Sequence, residues 1–369
     1  MKRKYLLGAL IISIVCTACS SRPTEIQYIS TEEEENINNV TDENDSDAEI
    51  AAETEKYSVY QVKEKDFSLE LLEELFLEGR TVEQKRESPS FDFDDFTDTF
   101  YECSDGSGLT LVGARVYFST KESNNYPIQY FYDDDMRSKV FQNDISSIFP
   151  EKDLDFMTLE NAKALVSDYL NRLDIETGED WETYPLDAEK LTEVVKGYYT
   201  DEEYEQDIAD GYKPVKRDYD KEDEVYLFRI PISVDGNVIT FKNYEAGELN
   251  YTVYGSSVEV IVGDTGIIYF TVINDYEPVN VEEKEAIISE DDAIQAIKEE
   301  YAHLLAMNID NIKSYGLYYV STVTEQAKRD GFKILPAYII AVTRSVNDEK
   351  EKWTEEYIEI VNAISGEII

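Results

Sequence analysis

Ser289-Glu290-Asp291-Asp292-Ala293-Ile294-Gln295-Ala296-Ile297 and Glu359-Ile360-Val361-Asn362-Ala363-Ile364-Ser365-Gly366-Glu367-Ile368 decide the fold class, because each has a counterpart earlier in the chain. The first matches Thr158-Leu159-Glu160-Asn161-Ala162-Lys163-Ala164-Leu165-Val166. In both, a hydroxyl residue precedes acid in the first turn and then apolar residues at a period near 3.6, which predicts a capped amphipathic helix. The second matches Glu259-Val260-Ile261-Val262-Gly263-Asp264-Thr265-Gly266-Ile267-Ile268 without a gap. There, a β-rich run ends in a four-residue turn whose last position is Gly, the residue that tolerates the positive φ such turns require. A middle strand precedes each hairpin, Tyr226–Val234 in one copy and Ala337–Val342 in the other. Helix first and antiparallel sheet after gives an α+β unit, here in tandem. The helix starts lie 131 residues apart and the closing segments 100 apart, so the copies differ in their loops, with an enlarged middle at 174–224 in the first. The pattern places Val258 and Val260 against Leu165 and its neighbours. It likewise places Ile358 and Ile360 against Ile294 and Ile297.

Outward from the repeat, 151–280 and 281–369 are the two units, and 57–150 is a third, N-terminal α+β unit. In it Phe67–Phe76 has helical spacing, with Ser68 as N-cap and Gly79 as stop, and Leu109–Ser119 and Ile128–Tyr132 are strand candidates around the polar loop Lys121–Asn125. Residues 19–56 form an acidic tether: Ser20 to Lys56 holds twelve acids, two cations and one aromatic, too little apolar material to offset chain entropy. As a flexible coil it spans roughly 30 Å, and charge repulsion extends it further. Residues 1–18 have the layout of a signal peptide, with basic Lys2-Arg3-Lys4, apolar Tyr5–Val15 and the small-residue site Thr17-Ala18-Cys19. The apolar run is about half the ~20 residues of a spanning helix, so cleavage is expected, and the placing of Cys19 resembles a bacterial lipobox, which makes Cys19 the expected lipid attachment site.

Composition narrows the partners. Against 34 Lys+Arg stand 80 Asp+Glu, a formal net charge of −46, and cleavage before Cys19 removes three cations and no acids. Such a surface repels phosphate backbones and anionic bilayers, which excludes nucleic acid and suits a body held off the membrane by a lipid. The three cysteines are Cys16, Cys19 and Cys103. With Cys16 lost and Cys19 lipidated, Cys103 has no partner, so neither a disulfide nor a cysteine zinc site is available.

No catalytic residue is assigned. His303 is the sole histidine and stands beside Leu304 and Leu305 with no nucleophile motif near it. Asp133-Asp134-Asp135 reads as a solvated loop. Asp218, Asp220 and Glu222 have calcium-loop spacing, but Asp223 and Arg229 stand where Gly and Glu are required. No metal or cofactor is expected. Tyr198-Tyr199, Tyr318-Tyr319, Tyr251 and Tyr254 could line a peptide or glycan groove, although tyrosine is also a favoured strand residue.

The capped acidic helix, the Pro336-Ala337-Tyr338 strand and the closing Ile358-Glu359-Ile360-Val361-Asn362-Ala363-Ile364-Ser365-Gly366-Glu367-Ile368-Ile369 resemble the PepSY-like module of bacterial exported proteins. That family ends in Val-Asp-Ala, any residue, Thr-Gly-Glu; here Asn362 and Ser365 replace the Asp and Thr. The match covers 289–369 and, more loosely, 158–270. The plan is also similar to YycH/YycI-type regulators and to lipoproteins of clostridial-type Firmicutes, although YycH/YycI proteins carry a transmembrane anchor where this chain has a lipobox. The resemblance implies binding and inhibition. The expectation is therefore a lipid-anchored, extracytoplasmic binding or regulatory protein without catalytic activity, engaging a cell-envelope protein or peptide. The alternative is a cell-wall glycan or peptide hydrolase working through carboxylates. A transporter's solute-binding receptor would need the βαβ repeat that the chain lacks.

Overall fold

Five helices begin where a hydroxyl or carboxylate stands ready to take a free backbone N–H. In a computed structural model that describes residues 56–89, 97–113, 115–126, 149–212, 216–246, 251–253, 255–282, 285–303, 309–322, 332–347 and 352–369, Ser68 accepts from the Leu71 amide at the start of α1 (Leu69–Leu77). Thr158 does the same for α2 (Leu159–Arg172), and Asp187 for α3 (Ala188–Tyr198). Thr200 and Glu203 form a reciprocal capping box on α4 (Asp201–Asp210). Ser289 and Asp292 form another on α5 (Glu290–His303), where the Asp292 amide donates to Ser289 Oγ at 3.1 Å. The starts of α1, α2 and α5 are those the sequence predicts at 68, 158 and 289.

The strands form two antiparallel sheets, so the fold is α+β. The first has eight strands in the order β3 (Val82–Pro89), β4 (Thr97–Cys103), β5 (Gly108–Val112), β6 (Arg115–Ser119), β14 (Gly266–Ile273), β13 (Ser257–Gly263), β8 (Val225–Pro231), β7 (Glu182–Leu186). The second has five: β15 (Tyr276–Val281), β2 (Tyr60–Glu64), β18 (Phe332–Asn347) and β17 (Ile309–Thr322) in that order, with β19 (Lys352–Asn362) also on β18. Three short ladders complete it: β1 (Lys56–Tyr57) with β16 (Glu285–Ala286), β9 (Ser233–Val234) with β10 (Asn237–Val238), and β11 (Tyr244–Ala246) with β12 (Tyr251–Val253).

Alternation along β8 and β13 sorts the first sheet's two faces. Phe228, Val260 and Phe270 join the core under α1 and α2, where Phe76 stacks on Phe118 at 4.8 Å and meets Phe270 at 5.1 Å. Val258 and Val260 lie in the same cluster as Ala162, Leu165 and Val166, as the repeat predicts. Leu227, Ile261 and Ile268 face the other way and are covered by Leu191 and Val195 of α3. The second sheet is also buried on both faces. Ala293, Ile297 and Tyr301 of α5 cover Tyr338, Ile340, Val342 and Val361. Tyr244 and Val253 of the β11–β12 hairpin cover Ala337, Ile339 and Ile360.

The structure corrects three expectations. Ile358 and Ile360 face the β11–β12 hairpin, and Val361 and Tyr357 face α5. The alternation Ile358-Glu359-Ile360 puts both isoleucines on one face, but both faces of this sheet are covered, so alternation alone does not select which cover they meet. Leu109–Ser119 is two strands, β5 and β6, turned at Gly113 with φ +56°. Sheet pairing also crosses the divisions expected at 150 and 280. Phe118 of β6 is opposite Phe270 of β14, and β2 lies between β15 and β18. The closing hairpins do turn at Gly266 and Gly366, with φ of +109° and +76°. The leader, Cys19, the tether to residue 55 and the strand expected at Ile128–Tyr132 lie outside the described residues.

Candidate functional site

The residues singled out from the sequence are not brought together. Cys19, Asp133, Asp134, Asp135 and Tyr254 lie outside the described residues, and His303 ends α5. Tyr199 and Tyr319 are buried: the Tyr199 hydroxyl donates to Asp207, and the Tyr319 ring meets Tyr60 at 5.8 Å. Both are core residues, not the lining of a groove. Asp218 pairs with Lys196, and Asp220 caps the 3-10 turn Lys221–Asp223, so these acids serve local structure. Cys103 is a free, buried thiol. Among the described residues, no cluster of three His, Cys, Asp or Glu side chains is placed to hold a metal ion. Nor is any described helix long and apolar enough to cross a membrane.

What the fold does bring together is a buried ionic junction between the sheets. Lys65 follows β2 of the second sheet and leads to α1, which covers the first. Asn274 and Asp275 form the connection from β14 to β15, passing in the opposite direction. Asp174 lies just past the C-terminal end of α2. Asp174 and Asn274 both hold positive φ, +55° and +54°, which short Asx side chains tolerate better than others.

The backbone ties two of these passages directly, because the Lys65 amide donates to the Asp275 carbonyl at 3.0 Å. The side chains add a second tie. The Lys65 ammonium donates to the backbone carbonyl of Asp174 and lies 3.4 Å from Asp275 Oδ2 and 3.9 Å from Asp174 Oδ2. Asp275 Oδ1 accepts the Tyr276 amide at 2.9 Å, while Oδ2 receives no hydrogen bond of good geometry. Lys65 is thus close enough to attract the carboxylate but aims a donor elsewhere. Burial therefore dominates and pushes the Asp275 carboxyl up to about 6, against the lowering effect of Lys65.

Around this pair, Arg115 of β6 reaches Asn274 Oδ1 at 3.4 Å, and Asn274 Nδ2 donates to the Gly255 carbonyl at 3.2 Å. Gly255 is required here: a Cβ would lie 2.2 Å from the Phe241 carbonyl carbon. The buried Tyr244 hydroxyl donates to the Ser321 carbonyl, linking the hairpin cover to β17.

A second buried polar pair lies within the first sheet. Arg229 on β8 and Glu259 on β13 are directly opposite and both buried, and the guanidinium lies 4.1 Å from the Phe241 ring centre. Burial, reinforced by Glu259, raises the Tyr269 hydroxyl well above its ordinary range. The chemistry of the two clusters is charge pairing and, at Asp275, protonation near neutral pH. Nothing local marks Lys65 or Asp275 in a chain with 80 acids; the one signal was the Asn274-Asp275 pair between two strand-like runs.

No family model matches the chain, and no curated protein does. Among solved structures, an uncharacterized protein from Eubacterium rectale ATCC 33656 is similar, with a TM-score of 0.59 and 15% sequence identity over 85% of each chain. At that identity the likeness extends to the fold alone.

Proposed function

We propose that this chain is a lipid-anchored, extracytoplasmic binding or regulatory protein that engages a cell-envelope protein or peptide and carries out no catalysis. The observation that supports it is the N-terminal order: three cations, an eleven-residue apolar run, Thr17-Ala18-Cys19, an acidic tether, and then a folded body. One acyl chain gives marginal membrane binding and two give stable anchoring, so a doubly acylated Cys19 would keep the body near the bilayer. The acidity of the chain would keep it off anionic headgroups. The tandem PepSY-like reading belongs to the same proposal. Its support is the pair of capped helices at 158 and 289 and the two hairpins turned at Gly266 and Gly366.

The test is expression with its own leader in a bacterium that processes lipoproteins, fed an alkyne-bearing palmitate analogue. Wild type is expected to incorporate the label and partition into detergent, and Cys19→Ala to do neither and to appear in the medium. Equal labelling and partitioning of the two proteins would overturn the anchor. For the binding role, photo-crosslinkers on the folded body should give discrete envelope-protein adducts that disappear when the unlabelled soluble body competes. Adducts insensitive to competition would refute it.

A further inference from the structure

Three passages of chain meet at Lys65, Asp174 and Asp275: 274–275 carries the chain from the first sheet to the second, and 65–68 leads from the second sheet to α1, which packs on the first. We propose that this junction is a proton-gated lock between the sheets: it stays closed while Asp275 is protonated and opens more readily once Asp275 is ionised.

The geometry sets the sign. Asp275 is 3% exposed, and its Oδ2 has only the Lys65 ammonium at 3.4 Å to replace water. The remaining charged and titratable groups do not make up the difference. Glu277 on β15 adds negative charge and is itself paired with Lys63 at 2.7 Å. Arg115 is directed to Asn274, Glu64 lies on β2, and the Tyr276 hydroxyl is held neutral by burial, pushed up to about 12. The Asp174 side chain is fully exposed, which gives water and protons an approach to the Lys65 end of the cluster.

In the closed junction the Asp275 carboxyl titrates at about 6, against 3.8 for an unperturbed aspartate. The closed form therefore binds the proton more tightly than the open form does. Stability contributed by that proton is fully present below about pH 4 and is lost as pH rises through 6. From pH 5 to pH 7.5 the opening equilibrium is expected to rise about tenfold.

Native-state hydrogen exchange on the folded protein, corrected for the intrinsic pH dependence of exchange, reads this directly. The reporters are the Lys65 amide, which donates to the Asp275 carbonyl, and the Tyr276 amide, which donates to its carboxylate. The Val260 and Phe270 amides in the first sheet are the controls. Protection at Lys65 and Tyr276 is expected to fall about tenfold between pH 5 and pH 7.5, beyond any fall at the controls. In Asp275→Asn the excess fall should vanish, whereas Asp174→Asn should retain it. Lys65→Met removes the nearest cation and should move the midpoint to higher pH, which tests the lock even if Asp275→Asn does not fold. A fall shared equally by reporters and controls would overturn the proposal, as would an excess fall that persists in Asp275→Asn or a midpoint unmoved in Lys65→Met.

Discussion

Replacing Ile360 with Ala tests which face of β19 meets α5. Ile360 is 1% exposed, directly opposite Ile339 on β18, and clusters with Tyr244 and Val253. The change removes three carbons, worth about 2.4 kcal/mol at ~0.8 kcal/mol per buried methylene. The cavity left in a layer closed by the hairpin raises this to about 3–4 kcal/mol, within the range for buried Ile→Ala. The decisive quantity is the coupling. Ile339→Ala removes a side chain on the same face and in contact register, so the Ile360/Ile339 cycle should show an interaction of at least about 0.5 kcal/mol. Ile297→Ala removes an equally buried side chain from α5 on the opposite face, so the Ile360/Ile297 pair should add within about 0.5 kcal/mol. Urea unfolding of the three single and two double variants, with sucrose present throughout to keep the doubles folded, gives both numbers. Strong coupling of Ile360 to Ile297, with additivity toward Ile339, would refute the face assignment.

Asp187, the N-cap of α3, is expected to lose its value in acid. Burial works to raise its carboxyl, but hydrogen bonds from Lys152 and the Lys190 amide outweigh this and hold it below the usual range. A depressed carboxyl contributes stability above about pH 4 that is lost as pH falls through the lower folded-state value. Asp187→Ala should thus cost about 1 kcal/mol at pH 6 in urea unfolding and clearly less at pH 2.5, and an equal cost at both would contradict the assignment. Gly255→Ala should be among the most damaging single changes, because the new Cβ would overlap the Phe241 backbone at 2.2–2.5 Å, where no side-chain rotation relieves it. A loss of several kcal/mol is expected by thermal or urea unfolding, and a variant as stable as wild type would disprove the close approach.

The sequence by itself determined the features settled within a few residues. Ser68, Thr158 and Ser289 start their helices because a short oxygen-bearing side chain finds a free amide two or three residues ahead, whatever the rest of the chain does. Gly266 and Gly366 turn their hairpins because a positive φ excludes most other residues. Even α+β followed from such signals, since helical and strand periodicities occupied separate stretches. Tertiary structure alone decided which strands became neighbours. The strand Tyr60–Glu64 pairs with residues 276–281 and 332–334, more than two hundred positions away. Nothing in five residues encodes that choice, which depends on every other surface the chain has to bury. The face of Ile360 was equally hidden, because α5 and the β11–β12 hairpin cover both sides of this sheet, and the alternation Ile358-Glu359-Ile360 does not say which cover each side meets. The same physics concealed Lys65 and Asp275. A charge becomes distinctive only when folding takes it out of water, and two residues 210 apart in sequence acquire their chemistry at the place where the two sheets meet.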